Sequence, residues 1–460
     1  MDRRGFLVGG AALASLAGPA FADVDDLRSA AREGWIYGLP LIEMARLRAA
    51  AIGPRPKEGT PGFNAFAAAR VGADNRDFSA AEADVLYSSA WIHLGSGEAK
   101  VFMPSSGGRY VCLALFDMYG NAFEVFESRG VGGAGRQIDL IGPPNHTGVN
   151  GYLAPLPQMP HVLRPVIHAP GPWVWALARV HLEGDHDIEA ARLVQDGFDV
   201  KVKPSEPAPA LPVALDVAWS DYFYAVQKLI EENPPPRGEL EFFRRIAPLQ
   251  LSAQGDFERA RFADVDLEAV SAGVNDAQIL AGQMRPDAGA GWVWPRPELG
   301  AFNQEFLYRA RCSIVLPGAP PRTVILPLRA IARDGGLTFD GARHHRLVLP
   351  GSPPAEGFWS LTVYEAAPDG RLYLAQTPSG RHALGDWSPG LRRETNGDIV
   401  VWIGRVDPGG ARTANWLPAP TTGPFALMLR AYAPREDLLE QRWRPPPVER
   451  LGGTAREAPR

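Results

Sequence analysis

Phe358-Trp359-Ser360-Leu361-Thr362-Val363-Tyr364 is a short run of aromatic and β-branched residues that ends shortly before the turn signal Pro368-Asp369-Gly370. Such a run reads as a β-strand. Ile399-Val400-Val401-Trp402-Ile403 and Phe425–Tyr432 share its texture, and Asn396-Gly397 adds a hairpin-type turn signal in the same half. Further back, Arg109-Tyr110-Val111-Cys112-Leu113-Ala114-Leu115-Phe116 and Trp173-Val174-Trp175-Ala176-Leu177-Ala178-Arg179-Val180 are built alike. Ser105-Ser106-Gly107-Gly108 and Gly142-Pro143-Pro144-Asn145 bound them. Short strands between frequent turns predict β-sandwiches in both halves.

Helical periodicity separates these strand-rich stretches. Residues 24–50 carry Ile36, Leu39, Ile42 and Leu47 along one side, and Pro40 predicts a kink or a break into two short helices. Pro204-Ser205-Glu206-Pro207-Ala208-Pro209-Ala210-Leu211-Pro212 reads as a stiff connector. Beyond it, Trp219, Phe223, Val226 and Ile230 mark an amphipathic helix that stops before Pro234-Pro235-Pro236. Phe242–Ala247 and Val265–Gln283 continue the helical pattern. The expected fold is therefore mainly β with helical segments. Its divisions are a helical segment at 23–62, a β-sandwich at 63–203, a connector and helical segment at 204–290, and a second β domain at 291–460.

The composition narrows the function classes. The chain has 460 residues, 45% hydrophobic and 22% charged, which is ample for a folded core. A net charge of −5 leaves no broad basic surface, so no nucleic-acid partner is expected. Cys112 and Cys312 lie in separate apolar runs and form neither a disulfide framework nor a zinc-spacing motif.

Met1–Ala22, MDRRGFLVGGAALASLAGPAFA, has a charged start, an apolar stretch from Phe6 to Leu16 and a small-x-small cleavage site at Ala20-Phe21-Ala22. The apolar stretch is too short for a membrane-spanning helix, and no transmembrane segment is expected once the leader is removed. Arg3-Arg4-Gly5-Phe6-Leu7 resembles the twin-arginine export motif, with an ordinary secretory signal as the alternative. Both readings place the protein in the periplasm. Intact-mass measurement of the exported form should locate the new N-terminus at Asp23, and an uncleaved chain retained in the cytosol would contradict the reading.

The motifs now in view carry a family resemblance. Tyr37-Gly38-Leu39-Pro40-Leu41, Asp84-Val85-Leu86-Tyr87-Ser88-Ser89-Ala90-Trp91, Arg109-Tyr110, Asp117-Met118-Tyr119-Gly120-Asn121 and Ile141-Gly142-Pro143 resemble domain of unknown function 1254. Phe358–Tyr364, Asn415-Trp416-Leu417-Pro418-Ala419-Pro420 and Leu429-Arg430-Ala431-Tyr432 resemble domain of unknown function 1214. The resemblance implies an immunoglobulin-like β-sandwich, a helical middle segment and a C-terminal jelly-roll-like β-sandwich in an exported bacterial protein. It implies no activity or cofactor. This chain departs from the family's Asn-x-Asp-Thr by reading Glu82-Ala83-Asp84-Val85.

The residues themselves offer two polar constellations. Asp84 and Asp117 at strand ends could serve as general acid and base, with Arg109 assisting or clamping an anion and Asn121 contacting substrate. The structural alternative makes Asp117 a turn cap before Asn121 and pairs Arg109 with an acid at a sheet edge. In the second half, Trp359, Asn415, Trp416, Arg430 and Tyr432 combine aromatic faces with polar forks suited to sugars or carboxylates. Here the alternative is a packed corner with Trp416 buried. His181-Leu182-Glu183-Gly184-Asp185-His186-Asp187 and His344-His345 lack convincing metal-ligand spacing, and no metal is expected. Serine-hydrolase elbows, P-loops and His-Glu-x-x-His are missing. The function expected is carboxylate acid–base catalysis on a small carbohydrate or organic acid. The competing expectation is a non-catalytic solute-binding or envelope-interaction protein, with homo-oligomers as a further possibility.

Overall fold

The computed structural model describes residues 24–452, apart from 54–63, 71–73, 96, 129–132, 144–164, 203–208, 253–254, 256, 284–287 and 378. The leader, Pro144, Asn145 and the Pro204–Ala208 part of the connector lie outside the described residues. The fold is mainly β with helical segments, as expected.

In the first half, one sheet places Ala67–Ala69, Val85–His93, Trp173–His181, Val111–Phe116 and Ala122–Glu127 side by side. The facing sheet orders Val166–His168, Arg136–Ile141, Glu98–Met103 and Asp199–Val202. Successive strand residues point to opposite faces. Leu86, Ala90 and Ile92 accordingly fill the core between the two sheets, whereas Val85, Tyr87 and Trp91 pack into a layer of helices on the other side. Cover on both faces explains why every residue of Trp173–His181 is buried and why that stretch reads as an almost unbroken apolar run.

The helical layer is built on Val24–Ile52, which packs against Trp219–Glu232, Asp264–Gln283 and Phe306–Val315. Pro40 lies inside one continuous helix, so the expected break into two short helices does not occur. Interior proline costs about 3 kcal/mol through a lost hydrogen bond and a ring clash. Here that cost is offset by tight burial of its neighbours Leu39, Leu41 and Ile42, which expose at most 1% of their surface. Arg309 ties the layer together: its Nη1 donates to Glu239 at 2.7 Å, and its guanidinium lies over the rings of Tyr37, Tyr119 and Phe306.

The second half is again two sheets. The larger orders Ala288–Gly289, Trp292–Val293, Ile325–Ala330, Ala426–Tyr432 and Trp359–Ala366, with Leu372–Leu374 and Ala383–Gly385 both paired to the last. The smaller orders Trp416–Pro418, Ile399–Gly404, His345–Leu349 and Glu449–Arg450. Trp359, Leu361, Val363, Leu427, Leu429 and Ala431 enter the core between these sheets. Alternation then turns Ser360, Thr362, Tyr364, Met428, Arg430 and Tyr432 to the opposite face of the larger sheet. That face lies against the first half, where Tyr364 bonds Ala81 and Arg430 bonds Ala80.

Candidate functional site between the two sandwiches

Glu82 and Asp84 occupy the segment leading into Val85–His93, and the neighbouring strand contributes Arg179 and His181, which pair in register with Tyr87 and Val85. The outer face of the second half's larger sheet meets them. Arg179 Nε reaches Glu82 Oε1 at 3.1 Å, and Arg430 Nε approaches the same oxygen at 3.7 Å. Arg430 also donates to the Ala80 carbonyl at 2.6 Å and to the Tyr364 hydroxyl at 2.5 Å. Tyr432 donates its hydroxyl to Asp84 Oδ1 at 3.3 Å. Phe358 stacks on Tyr432 on one side and on His181 on the other, with centroids 3.8 and 3.7 Å away.

Asp84, Arg430 and Tyr432 are at most 2% exposed. Six buried polar atoms in this cluster have no hydrogen-bond partner: Glu82 Oε2, Asp84 Oδ2, Arg179 Nη1, His181 Nε2, Ser360 Oγ and Thr362 Oγ1. Buried polar atoms are almost always satisfied, so this many gathered at one interface single it out as a candidate site. Burial raises the Asp84 carboxyl to about 6, outweighing Ser360 and Arg430, which favour its charged form. Burial, with Arg109 adding to it, lowers His181 to about 4, leaving its imidazole neutral at pH 7. Arg430 remains charged despite burial because the oxygens of Tyr364, Glu82 and Tyr432 surround it.

The other candidate residues lie elsewhere. Arg109 sits beside the cluster, engaged by Asp187 through two bonds of 2.5 and 2.7 Å and by the His181 carbonyl. Asp117 accepts the backbone N–H groups of Tyr119 and Asn121, both at 2.9 Å, and Asn121 returns its side-chain amide to Asp117 while accepting the N–H of Phe302. Trp359 faces the core of the second sandwich. Asn415 bridges Arg392 and Val400, and the indole of Trp416 donates to the Gly404 carbonyl, both against the smaller sheet. Glu82, Arg179, Ser360, Thr362 and Tyr364 were not singled out from the sequence. Polar residues at every second place in an apolar strand, as in Ser360-x-Thr362-x-Tyr364, are the signal that points to them.

Among the described residues no group of three or more His, Cys, Asp or Glu side chains is placed to hold a metal ion, and no helix is long and apolar enough to cross a membrane.

Residues 63–202 match the protein family of unknown function DUF1254, and residues 326–436 match the protein family of unknown function DUF1214. The chain belongs to the family that joins these two domains. The DUF1254 half supplies Glu82, Asp84, Arg179 and His181 to the interface, and the DUF1214 half supplies Ser360, Thr362, Tyr364, Arg430 and Tyr432. The fold is similar to that of the VPA0106 protein from Vibrio parahaemolyticus, with a TM-score of 0.65 at 17% identity, covering 93% of this chain and all of that one. A more distant likeness is to an uncharacterized protein from Burkholderia cenocepacia, with a TM-score of 0.43 at 12% identity over 93% of this chain and 96% of that one. No curated protein matches the sequence.

Proposed function

We propose that the chain is a periplasmic protein whose DUF1254 and DUF1214 halves enclose a carboxylate acid–base site for a small carbohydrate or organic acid. One observation carries the reading: Asp84, with a carboxyl near 6 and a free Oδ2, meets Tyr432 and Arg430 from the other half. A carboxyl titrating there exchanges protons in either direction near neutral pH, which suits a general acid–base. The guanidinium groups of Arg179 and Arg430 supply fixed positive charge for an anion forming in a water-poor site. Because Asp84 is fully buried, turnover requires local opening of the interface. Export by the twin-arginine route suits the architecture as well as the leader. The helix from Val24, directly after the leader, packs against elements as late as Phe306–Val315, so folding needs most of the chain in hand.

The test begins with a thermal-shift screen of the exported form against sugars and small carboxylates, followed by turnover assays on whatever binds. Asp84→Asn should abolish turnover while preserving the fold. The full burial of Asp84 favours a second reading, in which the chain binds a solute without chemistry. Saturable binding with no product, unchanged in Asp84→Asn and equally in Arg329→Gln, would support that reading over the first.

Asp84 also predicts a pH signature. Its carboxyl titrates near 6 when folded against an ordinary 3.8, so the folded chain holds the proton more tightly. The contribution favours folding below about pH 4, is lost as pH rises through about 6, and reaches a penalty of up to about 3 kcal/mol above that. Asp84→Asn removes the titration. The melting temperature of the variant relative to the native protein should therefore rise between about pH 4.5 and about pH 8. Parallel profiles would show that Asp84 does not titrate in this range.

A further inference from the structure

We propose that a groove on the same sheet face, separate from the Asp84 cluster, is a binding site for a small organic anion with an apolar body and a single carboxylate head. The groove runs between the helix Phe306–Val315 and the strands Ile325–Ala330 and Ala426–Tyr432. Its walls include Trp294, Tyr308, Leu316 and Met428, and its cationic groups are Arg329 and Arg311, with Arg296 also in the lining. Its cavity volume is about 100 Å³, several times the ~10–15 Å³ that holds one water.

The electrostatics identify the ligand. Arg329 and Arg311 are half-buried. Among the described residues, the four arginines buried to 2% exposure or less each have a carboxylate: Arg48 with Glu232, and Arg309 with Glu239, while Arg179 and Arg430 share Glu82. Arg329 and Arg311 form no ion pair with a described carboxylate, and the groove lining contains no acidic residue. Arg329 Nε is buried without a partner, and its Nη2 makes one long bond of 3.3 Å to the Leu337 carbonyl. Arg311 donates to the Asp369 carbonyl at 3.1 Å, while the Asp369 carboxylate pairs with Arg371. Arg296, at the groove's edge, is already paired with Glu305. Burial, with Arg311 adding to it, lowers Arg329 to about 10, the signature of a cation short of counter-charge. The lining thiol, Cys312, is pushed up to about 12 by burial and brings no charge of its own.

A charged group held off water without a partner is costly, and a ligand carboxylate would supply the missing acceptor. The apolar walls would receive its hydrocarbon part and offer few partners to the hydroxyls of a sugar. The apolar walls offer nothing to the further oxygens of an inorganic phosphate, which favours a carboxylate carried on a hydrocarbon body.

Isothermal titration of the exported form with hexanoate and benzoate tests the assignment, with hexanol and inorganic phosphate as controls. Saturable binding of at least one acid, and none of hexanol, is expected. Arg329→Gln should weaken that binding at least tenfold without lowering the melting temperature, because it removes an uncompensated charge. Arg311→Gln should weaken it in the same direction. Asp84→Asn should leave it intact, which separates this groove from the interface cluster. The proposal is overturned by absence of binding for both acids, by equal binding of hexanol, by preference for phosphate, or by unchanged affinity in both arginine variants.

Discussion

Arg430→Met should destabilise the protein by about 3–5 kcal/mol, measured by chemical denaturation near neutral pH. The loss comes from several buried groups at once. Arg430 is the sole cation shown on the DUF1214 side of the Glu82 pair, and it satisfies the Ala80 carbonyl and the Tyr364 hydroxyl. Removing it leaves Glu82 to Arg179 alone, beside a second buried carboxyl at Asp84. The methionine fills the space and makes none of these bonds. Arg430→Lys should recover only part of the loss, since one compact nitrogen cannot span the three acceptors that Nη1, Nη2 and Nε reach separately. A loss below about 1 kcal/mol would mean that the interface does not depend on this charge.

The second large effect concerns the helical layer. A Cβ at Gly273 would fall 2.2 Å from the Arg28 carbonyl oxygen and 2.8 Å from Ala31 Cβ, where Asp264–Gln283 crosses Val24–Ile52. Helix propensity alone predicts that Gly273→Ala gains up to about 1 kcal/mol. Packing predicts the reverse, because the obstacle is backbone rather than a flexible side chain. Overpacking costs typically about 1–3 kcal/mol, and Gly273→Val should reach or pass the upper end. The sign of the alanine variant therefore decides between the two. A gain in stability would show that the helices do not approach each other here.

Much of the local structure is legible in the sequence. Apolar runs between turn residues specify strands such as Trp359–Ala366 and Ile399–Gly404, and the spacing of Trp219, Phe223, Val226 and Ile230 specifies a helix. The family motifs and the export-like leader are also readable in order along the chain. Pro40 does not break its helix in two, because its local penalty is visible in the sequence and the tertiary packing that offsets it is not. For the candidate site, Asp84, Arg430 and Tyr432 each stand out as polar side chains in apolar surroundings.

Their meeting does not. Asp84 and Tyr432 are 348 positions apart, and no periodicity relates them. The alternation in Trp359–Ala366 sets Ser360, Thr362 and Tyr364 apart from Trp359, Leu361 and Val363, but it does not reveal what covers the polar face, because both faces are buried. Only the docking of the two sheets decides that Trp359 belongs to the core while Ser360 and Arg430 belong to the interface. The groove is the extreme case. Arg329 and Arg311 are two among many arginines in the sequence, and only the fold brings them to one groove whose lining holds no acidic residue. The sequence by itself determined the elements, their order and the residues able to carry charge into the interior. The tertiary structure decided which of those charges neutralise one another and which are left facing open space, because Coulomb interaction and desolvation depend on distance and burial and not on position along the chain.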